Sequence, residues 1–228
     1  MSSPKVPVNS STRGKMFVIS APSGAGKTTL LQTVCAQNST LKRAVTTTTR
    51  PMRDGEVDGR DYHFLTEADF QAKVEAGGFI EFANVFGNFY GLTREAVEAQ
   101  LSQGQNIVVI LDVQGAASVM REMPEDVVSI FILPPSPDEL RQRLFARGDN
   151  ENDDLNTRLK CVKWELSFCP WFKYIVVNDK FYEAVADILA VVEKEKPDAV
   201  PSVTNDRATK LLRLRFRFIK TVAASFLN

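Results

Sequence analysis

Lys27 and Thr28 end the run Ala21-Pro-Ser-Gly-Ala-Gly-Lys-Thr28, an order of residue types suited to holding a polyphosphate. Gly24 and Gly26 let successive backbone N–H groups turn inward around phosphate oxygens, and a helix starting there adds positive potential at its N-terminus. Lys27 can then reach the β and γ oxygens of a nucleoside triphosphate, while the Thr28 hydroxyl can ligate Mg²⁺. Ser23, Gly24, Ala25, Gly26, Lys27, Thr28 and Thr29 are therefore candidate triphosphate ligands, with Thr28 the candidate metal ligand. The strict form of this loop has glycine where Ala21 stands, a tolerable change. A merely tight glycine turn would leave Lys27 and Thr28 together unexplained.

Two further clusters offer chemistry for a second substrate. Between Thr46 and Tyr62 the chain places Arg50, Arg53 and Tyr62 around a turn-rich loop. Arginine forks bind phosphate oxygens in pairs and a tyrosine hydroxyl adds a neutral donor, so this set suits a phosphate monoester. Between Phe79 and Gly91, Glu81 stands among apolar and aromatic residues, and Tyr90 follows. A carboxylate in such company is costly to bury unpaired, and two N–H donors on one edge of a guanine would satisfy it. Plainer readings exist: surface charges for the arginines, an exposed strand position for Glu81, core-edge packing for the tyrosines. Arg143 and Arg147, four apart in a helical pattern with Leu140 and Leu144, could equally be a solvated face.

The elements that must position these groups follow from periodicity. Met16–Ser20 is a compact apolar run of strand length feeding the glycine loop, and a helix follows to about Gln37. Ile107–Leu111, Ser129–Leu133 and Tyr174–Val177 read as further buried strands, with helical patterns between them. Ser136-Pro-Asp-Glu139 is a helix start, and Phe181, Ala184, Val185, Ile188, Leu189 and Val192 mark a helix with one buried face. Alternating buried strands and helices predict a parallel sheet covered on both faces. From about Thr46 to Leu92 turn residues crowd in, with short strands at Asp61–Leu65 and Phe79–Val85 and a capped helix opening at Thr66. That stretch reads as a small mixed α/β lobe inserted into the core.

Composition narrows the class. With 44% hydrophobic residues in 228, a packed core is available. The 28 basic and 28 acidic side chains balance, against binding nucleic acid through bulk positive charge. No apolar run is long enough for a membrane-spanning helix, so no membrane is expected. Residues 1–14 read as a loose polar leader. The stretch 197–228 holds six basic and two acidic residues, which leaves 22 basic and 26 acidic before it, a net of −4. Its alternation from Leu212 to Phe218 fits a loose tail, an edge or intersubunit strand, or a contact with an anionic surface. Three cysteines without ligand spacing (Cys35, Cys161, Cys169) predict free thiols in a reducing, cytoplasmic setting, and one histidine argues against His-based hydrolysis.

Taken together, the motifs resemble the guanylate kinase family over about Lys15 to Lys196. The matching stretches are Ser-Gly-Ala-Gly-Lys-Thr, Thr-Thr-Arg-(x2)-Arg-(x)-Gly-Glu-Val-Asp-Gly, Phe-Ile-Glu, Gly-Asn-(x)-Tyr-Gly, Asp-Val-Gln-Gly-Ala, Ile-Phe-Ile-Leu-Pro-Pro-Ser and Arg-Leu-(x2)-Arg-Gly. The resemblance implies a P-loop α/β core (15–45 and 93–196), a GMP-binding lobe (46–92) and a mobile lid at about 147–158. It implies transfer of a phosphoryl group from ATP–Mg²⁺ to GMP, with a homodimer left open. By resemblance, Arg50, Arg53, Tyr62 and Tyr90 hold the GMP phosphate, and Glu81, Thr46 and Asp112 read the guanine. Lys27, Arg50, Arg143, Arg147 and Arg158 carry catalysis, and Asn178 is the adenine-side contact. Two positions depart from the family pattern: Ile110 replaces an acid, and Leu92 replaces a hydroxyl residue. The competing readings are a catalytically silent phosphopeptide-binding module of the same fold and a kinase for another phosphorylated acceptor, such as a ribose phosphate.

Overall fold

In the computed structural model, which describes residues 13–85, 87–146 and 155–196, β1 (Met16–Ser20) is the middle strand of a five-stranded sheet. Its neighbours are β7 (Asn106–Ile110) and β8 (Val127–Leu133), and the edges are β2 (Leu41–Arg43) and β9 (Tyr174–Val177); all pairings are parallel. Alternation along β1 explains why both faces are covered. Met16 and Val18 enter one core with residues of α3 (Arg94–Leu101), α4 (Val113–Glu122), α5 (Pro137–Ala146) and α6 (Leu155–Ser167). Phe17 and Ile19 enter the other, with α1 (Lys27–Gln37) and α7 (Phe181–Lys194). A parallel strand clad on both faces is uniformly apolar, which is why β1, β8 and β9 stood out in the sequence.

A second sheet has four strands in the order β4-β3-β6-β5: His63–Phe64, Thr47–Thr48, Asn88–Thr93 and Phe79–Val85. Only β3–β4 is parallel there. Helix α2 (Glu67–Glu75) packs Phe70 onto this sheet, 4.3 Å from Phe79 and 5.3 Å from Phe89 between ring centroids. Its start is as expected, with the Thr66 hydroxyl accepting from the Asp69 N–H at 3.1 Å. Likewise the Ser136 hydroxyl accepts from the Glu139 N–H at 3.1 Å as α5 begins.

Several boundaries differ from expectation. Strand β7 starts one residue earlier and β8 two, while β2, β3 and β6 were not singled out at all. Arg13 and Gly14, read above with the leader, belong to the folded body. The Arg13 guanidinium donates to Glu98 at 2.6 Å and Asp126 at 2.7 Å, and the Gly14 N–H donates to the Leu101 carbonyl at 2.9 Å. The tail 197–228 and most of the lid (147–154) lie outside the described residues; residues 155–158 open α6.

Candidate active site

The glycine loop leaves β1 at the C-terminal edge of the parallel sheet, where such sheets bind ligands. Gly24 and Gly26 take φ values of 84° and 87°, conformations that L side chains rarely adopt, and Gly26 precedes α1 directly. A Cβ at Gly26 would also stand 2.9 Å from the Asn178 side-chain nitrogen. The N-terminus of α1 has no side-chain cap, so its amides remain for a ligand. Lys27 folds back on its own loop, its Nζ donating to the Ala21 carbonyl at 2.5 Å and the Pro22 carbonyl at 3.4 Å. Thr28 and Thr29 are exposed, and Thr28 faces the cleft described next.

Between the two sheets lies a cleft of about 700 Å³ whose lining includes Thr28, Thr46, Tyr62, Glu81, Tyr90 and Asp112. Four of the six candidate acceptor ligands contributed by the lobe are thus brought together with a residue of the P-loop. Glu81 is held on β5 with Gly115 of α4 behind it; a Cβ on Gly115 would lie 3.1 Å from its carboxyl group. Burial, and then the nearby charge of Asp112, push the Glu81 carboxyl up to about 7. Asp112 caps α4, one carboxylate oxygen accepting from the N–H groups of Gln114 and Gly115 at 2.9 and 2.8 Å. Tyr62 and Tyr90 meet edge to face, 6.1 Å between centroids.

The arginines stand differently. Arg50 is 11% exposed and pairs with Glu56, at 2.7 Å to one oxygen and 3.0 Å to the other. That ion pair, with the Arg53 N–H as a second donor, holds the Glu56 carboxyl below its usual range. Arg53 is exposed on the turn, and neither arginine lines the cleft in this conformation. Arg143 donates to Glu139 at 3.0 Å and to the Asn178 carbonyl at 3.5 Å. Arg147 lies outside the described residues. Arg158 lies on α6, its side chain outside them.

Two residues bear on the loop from outside it. Asn178, expected at the adenine, is only 7% exposed, and its amide donates to the Ala25 carbonyl at 2.9 Å, pinning the P-loop from below. Glu165 was not singled out, yet its carboxylate accepts from the Ser23 N–H at 3.1 Å. Burial pushes that carboxyl up, Ser23 and Lys27 draw it down, and Asp112 raises it again. A signal existed: Glu165 follows Arg158 by seven residues, two helical turns, so both positions fall on one face of α6.

For Mg²⁺ the donor set is suitable. No group of three or more His, Cys, Asp or Glu side chains is arranged to hold a metal among the described residues. What the P-loop end offers is hard oxygen, from the Thr28 hydroxyl and the Asp112 carboxylate, both lining the cleft. That suits an ion taking most of its ligands from phosphates and water.

The fold and cleft define a class: a P-loop nucleotide-binding α/β protein with a second pocket facing the loop. Comparison with known proteins sharpens this. The family model described as guanylate kinase matches residues 13–195. The chain is 46% identical over 178 residues to a guanylate kinase from Alkalilimnicola ehrlichii, spanning 78% of this chain and 87% of that protein. It is 42% identical over 184 residues to one from Thermotoga maritima, spanning 81% and 88%. The crystal structure of guanylate kinase from Anaplasma phagocytophilum superposes with a TM-score of 0.60 at 34% identity, covering 90% of this chain and 96% of that one. The chain belongs to the guanylate kinase family.

Proposed function

We propose that the protein transfers the γ-phosphoryl group of ATP to GMP, and to dGMP, giving ADP and GDP, in purine nucleotide metabolism. The observation that carries this is the shared cleft, in which Thr28 of the P-loop shares one lining with Glu81, Asp112 and the two tyrosines. A monophosphate oxygen is already nucleophilic near neutral pH, so the reaction needs alignment and charge neutralisation more than a general base. Lys27 and the loop amides bind the ATP phosphates. Glu81, Thr46 and Asp112 orient the guanine; Arg50, Arg53, Tyr62 and Tyr90 hold the GMP phosphate. Arg143, Arg147 and Arg158 neutralise the group in flight, and Asn178, whose amide holds the loop, stands at the adenine side. When bound, Mg²⁺ held by Thr28 and the phosphate oxygens supplies further neutralisation at the phosphoryl groups.

The three cysteines, none of them in a disulfide, support a reducing compartment such as the cytoplasm. Among the described residues no helix is long and apolar enough to cross a membrane. A coupled assay of ADP formation with GMP, dGMP, AMP, CMP and UMP tests the reading. Turnover with the two guanine nucleotides, exceeding the others by roughly 10⁴-fold as paired polar sites allow, is expected. No GMP-dependent ADP formation would refute it, as would ATP binding failing altogether, the behaviour of a silent module.

A further inference from the structure

Arg43 lies on β2 at the edge of the parallel sheet, exposed, and lines the cleft together with Thr46, Tyr62 and Tyr90. Its guanidinium carbon stands 5.9 Å from the centre of the Tyr62 ring, and that of Arg50 stands 5.5 Å from the same ring. One tyrosine thus gathers two cations, one from the core and one from the lobe. They differ in how they are neutralised. Arg50 already holds Glu56. Arg43 has no ion pair and no side-chain hydrogen bond among the described residues. The carboxylate on which its charge acts, Asp61, is engaged by the Arg60 guanidinium at 2.8 Å and the Val57 N–H at 2.9 Å.

The cleft is also polarised. Among the described residues Arg43 is the sole cation in its lining, and Glu81 and Asp112 are its two carboxylates. Tyr62, under Arg43, directly precedes β4 at one edge of the four-stranded sheet, and Glu81 is on β5 at the other. Three strand spacings of about 4.8 Å separate those edges. A ligand that fits has N–H donors at one end and an anion at the other, as a purine monophosphate with a guanine base does.

We infer that Arg43 is a further ligand of the acceptor phosphate, reaching it from the core sheet while Arg50 reaches it from the lobe. The inference rests on GMP being the acceptor. The neutral base and ribose offer a guanidinium little, whereas the phosphate offers charge and paired oxygens. The Tyr62 face restrains Arg43 before substrate arrives, so less side-chain freedom is lost on binding. Arg50 has to release a carboxylate to bind phosphate; Arg43 does not.

Isothermal titration of the full chain with GMP and with guanosine, for wild type and Arg43→Gln, tests this. The substitution is expected to weaken GMP about tenfold, the worth of one charge-assisted contact, while guanosine binding and the KM for ATP stay within twofold. Unchanged GMP affinity would overturn the inference, leaving a solvated arginine. Equal losses for GMP and guanosine would also overturn it, placing Arg43 on the base or on the posture of the lobe. If Arg43→Gln melts early, Arg43→Lys carries the same test: a severalfold loss confined to GMP supports the contact, and none refutes it. Wild-type protein binding neither ligand would instead refute the acceptor reading, and Arg43 would fall with it.

Discussion

Glu81 allows the acceptor reading to be tested through protons alone. Burial and the charge of Asp112 place its carboxyl at about 7 against an ordinary 4.5. Guanine N–H groups need the ionised form, so binding must expel a proton from molecules that still carry one. With a value of about 7, roughly nine-tenths of sites are protonated at pH 6 and about a tenth at pH 8. Affinity should therefore be about tenfold weaker at pH 6 than at pH 8, falling further with each unit below. GMP would blur this, because a phosphate monoester itself titrates near pH 6. Guanosine is the proper probe, followed by calorimetry across pH 5.5–8.5 at constant ionic strength. Glu81→Gln should bind guanosine weakly and with no pH dependence.

The same residue makes a stability prediction of opposite sense. A carboxyl raised in the fold loses stability as pH climbs from about 4.5 to 7, because the unfolded chain ionises first. The ionised carboxylate then costs about 3 kcal/mol at most, so Glu81→Gln should melt several degrees above wild type at pH 8 and level with it at pH 4. A flat guanosine profile together with equal melting at pH 8 would refute the argument, since the carboxyl would then titrate normally.

Asn178→Ala removes the bond to the buried Ala25 carbonyl. It should destabilise the protein by about 1–3 kcal/mol and raise the KM for ATP while that for GMP holds; an unchanged KM for ATP would show that the loop keeps its shape unaided. Glu165→Gln keeps an acceptor for the Ser23 N–H but removes a negative charge from the triphosphate end of the cleft. ATP should bind severalfold tighter in a filter or calorimetric assay at pH 8, and weaker binding would mean that the carboxylate assists the nucleotide.

What was legible in the sequence depended on whether residue order alone specifies the chemistry. Gly-Ala-Gly-Lys-Thr does so, because loop, helix start and ligands are contiguous. Strand β6 was hidden for the opposite reason: Gly87, Asn88 and Gly91 look like breakers. Gly91 is in fact required inside the strand, since a Cβ there would stand 2.6 Å from the Phe79 ring. Strands β2 and β3, of three and two residues, are too short to show any period, and Arg43 was passed over with β2. Side-chain direction was unreadable as well. Asn178 sits where an adenine contact was expected, but only the folded backbone decides that its amide turns inward to Ala25.

The groups proposed to receive phosphate share a feature: most are already partnered inside the protein. Lys27 holds loop carbonyls, Arg50 holds Glu56, Arg143 holds Glu139, and the Ser23 N–H holds Glu165. A phosphate gains only the difference between its own contact and the one it replaces. The difference is favourable, because a dianion brings more charge and more acceptor oxygens than a carboxylate. Each exchange nevertheless releases a carboxylate that repels the incoming ligand unless it withdraws. Glu56 can stay on its turn, held by the Arg53 N–H at 2.8 Å. Glu165 is carried by α6, and α6 also carries Arg158. If expelling Glu165 shifts α6, which also carries Arg158, proposed above for catalysis, then triphosphate arrival and arginine placement become one event. If Glu165→Gln bound ATP more tightly yet turned over more slowly, that coupling would be visible as a split between affinity and kcat; a parallel change in both would argue that the helix and the loop move independently.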